Sequence, residues 1–374
     1  MHFAMRQESY CRSLVIASGL AVSLASTQAP AQDNVSGAKV EEAPSVPLNR
    51  FGLSYRIGFN ISARFKNLGG YPALSNPGVT PNSDPWNYDN GYVLEDIQGN
   101  NSALTWYWGY SGQPSKAAQV PGDGFIYFSR SSSAADVSSG AKYDDPQQPG
   151  FELTYNRELG RFGRKSWGVE GALNYLSVSI HDNQSLFGNV NVQTDAYMLN
   201  GVVPPDPPYF GTFEGPVPGG PNRPVISQNP TPGQGLLTTM PNGASITGQR
   251  KLDADVYGIR VGPYFQFPIW QKFSCDLSGG LSLACVNSTF KFNETVAIPA
   301  IGSVLHSGSS SHTDLLVGGY ASGTVSYSFA KAWSASVGAQ YQVLGRSSHQ
   351  TGGKVAQLDL QSAVFVTIGI GYSF

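Results

Sequence analysis

The chain has 374 residues, a formal net charge of -2 and only 13% charged residues, alongside 44 glycines, 19 tyrosines and 19 phenylalanines. With no Lys/Arg cluster interleaved with aromatics, this composition gives a nucleic-acid-binding role no support, and its wealth of turn formers and aromatics suits an all-β protein. Beyond its first residues the chain has no apolar run long enough for a transmembrane helix, so any membrane crossing must be made by strands.

Arg6 and Arg12 precede an apolar run from Leu14 to Leu24, and Ala29-Pro30-Ala31 follows as a small-residue cleavage site. This order predicts a secretory signal over 1–31 and export of the remainder. Residues 32–50, with Glu41-Glu42, Pro44 and Pro47, read as a flexible polar leader. The first strand then alternates without a break: Phe51, Leu53, Tyr55, Ile57, Phe59, Ile61, Ala63 and Phe65 share one face, and Arg56 and Arg64 lie on the other.

Between 66 and 150 the pattern fails, and the segment reads as a long outer loop. Leu104, Trp106, Trp108 and Tyr110, then Phe125 to Ser129, are expected to form a hairpin within it, since both are short for a crossing. Counted as crossings, they would make a barrel of ten strands.

Phe151 to Leu159 turns through Gly160 to Lys165 into a strand from Trp167 to Ile180. The insertion at 182–251 is dense in proline from Pro204-Pro205 to Pro241 and has no sustained period. It is expected to be a mobile loop without a core of its own. Leu252 to Phe267 turns through Pro268 to Lys272 into Phe273 to Phe292. Cys275 and Cys285 fall on the oily parity of that strand, about 33 Å apart if it is extended, which predicts two free, lipid-facing thiols; a turn at Gly279-Gly280 would bring them together. Thr313 to Phe329 turns at 330–332 into Trp333 to Gly345, and a modest loop leads to the final strand, Val355 to Phe374. There Leu358, Leu360, Val364, Val366, Ile368, Ile370, Tyr372 and Phe374 share one parity, far longer than the roughly 5 or 6 residues of a typical soluble strand.

Eight strands thus alternate between tight turns and longer loops, the asymmetry of an up-and-down barrel whose tight turns face the periplasm. Leu159, Trp167, Phe267, Trp270, Phe273, Phe329 and Trp333 cluster beside those turns, as an aromatic girdle would. By parity Arg56, Arg64, Glu152, Glu158, Glu170, Arg260, Asp276 and Asp359 point into the lumen. In a barrel of eight strands the interior is just filled by side chains, so these mixed charges are expected to pair and close the channel.

The arrangement resembles a small bacterial outer-membrane β-barrel, most similar to the eight-stranded OmpA/OmpX-like type, over 51–65 and 151–374. The terminal run Val366, Ile368, Ile370, Tyr372, Phe374 is similar to the signal read by the barrel assembly machinery. The resemblance implies an all-β, antiparallel transmembrane barrel over 51–374, seated in outer-membrane lipid and inserted by that machinery, without the peptidoglycan-binding domain of OmpA itself. It implies an envelope or surface-recognition role for a ligand that the sequence does not name; a narrow porin and an outer-membrane hydrolase are the alternatives. Among the histidines, His181 beside Asp182 and Ser185, and His306 beside Ser307, suggest fragments of a hydrolytic site, but no nucleophile motif surrounds either. His306 and His312 lack the partners of a metal shell. No catalytic residue, metal or cofactor is expected.

Overall fold

In the computed structural model, residues 49–75, 84–95, 103–139, 147–212 and 224–374 are described. The signal at 1–31, and the leader up to 48, lie outside the described residues. Asn49 and Arg50, read as the end of the leader, already belong to the first strand.

The strands in chain order are β1 (Asn49–Phe59), β2 (Ser62–Lys66), β3 (Gly91–Val93), β4 (Leu104–Thr105), β5 (Trp108–Tyr110) and β6 (Phe125–Ser132). They continue with β7 (Gln148–Phe162), β8 (Lys165–Asp182), β9 (Leu186–Met198), β10 (Tyr209–Phe210), β11 (Ile226–Ser227) and β12 (Leu236–Trp270). The last are β13 (Phe273–Ile298), β14 (Gly302–Ser328), β15 (Trp333–Val343), β16 (Arg346–Thr351), β17 (Lys354–Asp359) and β18 (Ala363–Ser373). Eight of them, β1, β7, β8, β12, β13, β14, β15 and β18, form a closed antiparallel ring. Its seam joins the first strand to the last, with Arg50 opposite Ser373 and Phe59 opposite Val364. The count is eight, not ten.

Strand length varies around the ring, with β7 intermediate at 15 residues. The strands β1, β15 and β18 have 11 residues each, close to the roughly 9 to 11 needed for a tilted crossing. By contrast β8, β12, β13 and β14 run for 18, 35, 26 and 27 residues. They rise well past the crossing, on the side away from the tight turns.

Where they emerge, the two faces exchange character. On β12 the outward residues Tyr257, Val261 and Phe265 are apolar and exposed, while inward Arg260 is buried. One step higher, outward Lys251 pairs with Asp253, and inward Leu252, Ala254 and Val256 are buried in the largest apolar cluster. On β8 the same exchange separates Tyr175 from Leu176, Val178 and Ile180. The register confirms one level, with Tyr257 opposite Tyr175 and Val256 opposite Leu176. Phe151, Tyr175 and Tyr257 stack along it with centroids 5.3 Å apart at each contact, marking the outer interface where aromatic rings are favoured.

The short strands respond at this level by bending. Asn60 and Gly345 adopt positive φ of 57° and 107°, a region that Asn and Gly enter readily. The side-chain amide of Asn60 donates to the carbonyl of Ser362 at 2.8 Å. Past these bends β2, β17 and β16 continue the order of β1, β18 and β15 as a separate three-stranded sheet, which leans over the lumen as a flap. Ile61, Ala63, Phe65, Ala356, Leu358 and Leu360 on it pack against the inward faces of β8, β12 and β13. The final strand is therefore broken between Asp359 and Ala363, and Leu358 and Leu360 face the core instead of lipid.

The two long loops are also organised. Phe125–Ser132 does not pair with the preceding segment; it pairs with β9, which in turn extends the sheet from the upper part of β12. Trp108–Tyr110 lies between Gly91–Val93 and Tyr209–Phe210. Together these segments bury Tyr88, Trp108, Tyr110, Ile126, Phe128, Tyr197 and Ile226 in a second core. The insertion at 182–251, expected to lack a core, supplies Tyr197 and Ile226 because its apolar residues find partners in the other loop. The residues at 213–223 are outside the described part.

Gly279-Gly280 lies within β13, so no turn brings Cys275 and Cys285 together. Cys275 is a free thiol. Cys285 is buried and, against expectation, is not free.

Candidate functional site

Within the crossing, the inward face is a polar stack centred on two arginines and two glutamates. Arg260 grips Glu152 with a bidentate fork, Nη2 to Oε1 at 2.7 Å and Nε to Oε2 at 3.1 Å. Its remaining Nη1 bonds Glu170. Arg56 reaches the same Glu152 at 3.3 Å and lies over the Phe365 ring at 3.7 Å from its centroid. Glu170 also accepts from Asn156 at 2.9 Å and from the Ser278 hydroxyl at 2.8 Å. Two positive and two negative charges thus cancel, all of them buried.

Toward the tight turns, Arg50 bonds Asp276 at 2.6 Å, and the lumen widens into a polar vestibule of about 280 Å³ bordered by Asn49, Arg50, Gln266 and Ser274. A further cavity of about 50 Å³ is lined by Arg50 and Asp276 together with Glu152, Glu170 and Arg260 of the ion cluster. On the outer side, Phe365 connects the cluster to the apolar core under the flap. A solute entering from the periplasm meets a neutral, hydrogen-bonded plug and then a dry one.

Of the eight charges read as lumenal, Arg56, Glu152, Glu170, Arg260 and Asp276 meet inside the barrel. Glu158 sits at the periplasmic rim, paired with Arg161. Arg64 and Asp359 are elsewhere, because the bends at Asn60 and beyond Asp359 carry them onto the flap. Arg64 is exposed there, and Asp359 bonds Arg346 at 2.9 Å. Arg50 and Gln342 were missed; Gln342 accepts from Arg56 at 3.4 Å and stands on the inward parity of β15, a signal the sequence does carry.

Val366, Ile368, Ile370, Tyr372 and Phe374 all present exposed side chains on the outer face. Phe374 stacks on Phe51 at 5.6 Å and on Tyr372 at 6.2 Å. Trp270, Phe273, Phe329 and Trp333, also exposed, surround the same end. An apolar outer band bounded by aromatics at both ends, around a closed polar interior, is a surface that only lipid satisfies. The chain is an eight-stranded outer-membrane β-barrel. Its tight turns lie at one end, and the flap and the second core, hereafter the crown, stand at the other.

The described histidines lie in that part of the molecule. His181 bonds Ser179 at 3.2 Å, and Asp182 beside it is buried against Arg250; His306 bonds the Gly70 carbonyl at 2.7 Å. Neither builds the serine-histidine fragments suggested by sequence proximity. A different group does come together: Ser310 with His349 at 2.7 Å, and His312 with Asp314 at 3.1 Å. Burial and the neighbouring His312 push the His349 pKa below its ordinary value. Among the described residues no cluster suited to holding a metal ion is present. In the crown, burial and contacts with Tyr197 and Asp195 hold the Tyr88 phenol far above the usual range, so it stays a neutral donor to Asp195 at 2.9 Å.

No family model and no curated protein matches this chain. Among solved structures it is similar to Ail, the attachment invasion locus protein of Yersinia pestis, crystallised with the heparin analogue sucrose octasulfate: 12% identity over 87% of this chain and 99% of that one, TM-score 0.27. The outer membrane protease OmpT of Escherichia coli is 9% identical over 89% and 99%, TM-score 0.30. The toluene transporter TodX of P. putida is 8% identical over 89% and 91%, TM-score 0.15. The barrel assignment rests on the strand ring and its apolar band.

Breaking the ion cluster at its hub tests the plug. Arg260→Met leaves Arg56 on Glu152 but strands the buried Glu170 carboxylate, and is expected to cost about 3–5 kcal/mol, measured by urea unfolding of barrels refolded into vesicles. Adding Glu170→Gln alone, which leaves the neutral Arg56–Glu152 pair, should recover most of that loss. A single-substitution cost under about 1 kcal/mol would mean the cluster is solvated and the lumen open.

Proposed function

We propose that this protein is a surface-recognition barrel whose crown, not its lumen, does the work. The observation that carries the reading is the combination of a plugged interior with an outer crown that has its own aromatic core. A porin needs a continuous aqueous path, and here the ion cluster and the apolar core under the flap lie in series. The four central charges also sum to zero, so they supply no net charge that would favour one sign of ion. A crown built on a buried aromatic core holds its loops in fixed positions, which lowers the ordering cost of binding a ligand.

Two measurements test this. Planar bilayers containing the pure protein are expected to show no steady conductance steps. Cells displaying it, compared with cells carrying a variant whose 187–245 segment is replaced by a short turn at equal surface level, should bind arrays of extracellular glycans and proteins in a crown-dependent way. Stable conductance steps, or identical array binding by the two strains, would contradict the proposal.

Biogenesis belongs to the same reading: Phe374 and the alternating residues before it are proposed as the segment that the barrel assembly machinery recognises. Phe374 makes two ring contacts, each worth about 0.5–1.5 kcal/mol at most, against a seam of many backbone hydrogen bonds. Phe374→Ser should therefore reduce insertion in cells severely while shifting the unfolding midpoint of refolded protein only slightly. Equal losses in both assays would assign the residue a merely structural role.

A further inference from the structure

The flap is held to the barrel wall by a small set of polar links, and two of them involve histidine chemistry. On β16, Ser347 donates to Asp314 Oδ2 at 2.5 Å, and His349 Nε2 bonds the Ser310 hydroxyl at 2.7 Å. Both partners are on β14. His312, also on β14, bonds Asp314 Oδ1 at 3.1 Å, and its ring lies 5.5 Å from that of His349. Further along, Lys354 on β17 pairs with Glu294 on β13 and donates to the Gly69 carbonyl at 2.9 Å.

We propose that the β16–β17 flap is an acid-released lid, with His349 and His312 at its junction with β14 as the trigger. The charge count explains why. Among the described residues Asp314 is the acidic group at this junction, and both of its oxygens are engaged, one by His312 and one by Ser347. Protonation of His349 places a cation 5.5 Å from the His312 ring, beside a carboxylate whose two oxygens already have partners. His349 is only 5% exposed, and its Nδ1 is buried without a hydrogen-bond partner, so the second proton has no acceptor there. From the other packed elements His349 meets the Phe290 ring of β13, edge on at 6.3 Å, and its register partner Ala356 of β17. Neither can take up charge. The Lys354–Glu294 pair is neutral as a unit and holds the far end of the flap.

The direction of the effect follows from linkage. His349 titrates below its ordinary value of about 6.5 while the flap is docked and returns to that value when it is free. Docking is thus fully favoured above pH 6.5 and weakens as pH falls through the lower docked value. Release would bare the apolar trough lined by β8, β12 and β13, changing the outer surface without disturbing the ring.

Hydrogen–deuterium exchange on the full chain in detergent micelles, from pH 7.5 to 4.5 and corrected for intrinsic rates, reads this directly. Protection of 346–359 is expected to fall by up to about tenfold per pH unit, while 333–343 and 363–373 stay protected. His349→Gln, which keeps a hydrogen-bonding side chain but cannot charge, should abolish the fall. Protection that is flat with pH in the unsubstituted protein, or an equal fall in His349→Gln, would overturn the proposal. If His349→Gln is already unprotected at pH 7.5, His312→Gln decides. Removing that neighbour moves the docked pKa back toward the ordinary one, so a shallower fall supports the lid and an unchanged one refutes it.

Discussion

Every part of this molecule answers to one constraint: its long strands pass from hydrocarbon into water at the level of Tyr55, Phe151, Tyr175 and Tyr257. Below that level backbone groups have no water to bond, so the ring must close, and the seam between β1 and β18 closes it. The outer face there must be apolar and the inner face is free to be polar. Above that level the medium outside is water, and the apolar side chains of the same strands turn to the interior. One wall therefore serves as a membrane barrel and then as the shell of a water-soluble core.

This exchange fixes what the interior can do. In the crossing, the polar inward face would be a channel if it were wide, but eight strands leave room only for side chains, and Arg56, Glu152, Glu170 and Arg260 fill it as a neutral network. Above the crossing, four long strands form only part of a wall. The missing side comes from the short strands, which bend at Asn60 and Gly345 and send β2, β17 and β16 across the opening. The outer core then anchors a crown whose aromatic residues come from both long loops.

The sequence reveals the crossing well and the outer part poorly, for a physical reason. Alternation reports which residues share a side, and it identified all eight barrel strands and their tight turns. It does not report which solvent lies on that side. In Phe51–Phe65 the oily parity runs on unbroken, and in Val355–Phe374 it resumes after Ser362 alone, because the chain bends where the medium changes, and the two reversals cancel. Arg64, Asp359, Leu358 and Leu360 were misplaced for this reason alone. On β8, which does not bend, the oily set moves from Trp167, Val169, Leu173 and Tyr175 to Leu176, Val178 and Ile180, and that shift of parity was the available signal. The crown was illegible because Trp108, Phe128 and Tyr197 belong to separate segments, none of which has a periodic face on its own.

The exchange of faces is the central claim, and residue-by-residue accessibility along β8 tests it most directly. With the native cysteines replaced, single cysteines at the outward positions of Val169, Gly171, Leu173, Ser177, Ser179 and His181 would be exposed on intact cells to a membrane-impermeant maleimide. Labelling is expected at Ser177, Ser179 and His181 and absent at Val169, Gly171 and Leu173, a single step at Tyr175. Labelling that continues down to Val169, or that is absent up to His181, would contradict the account.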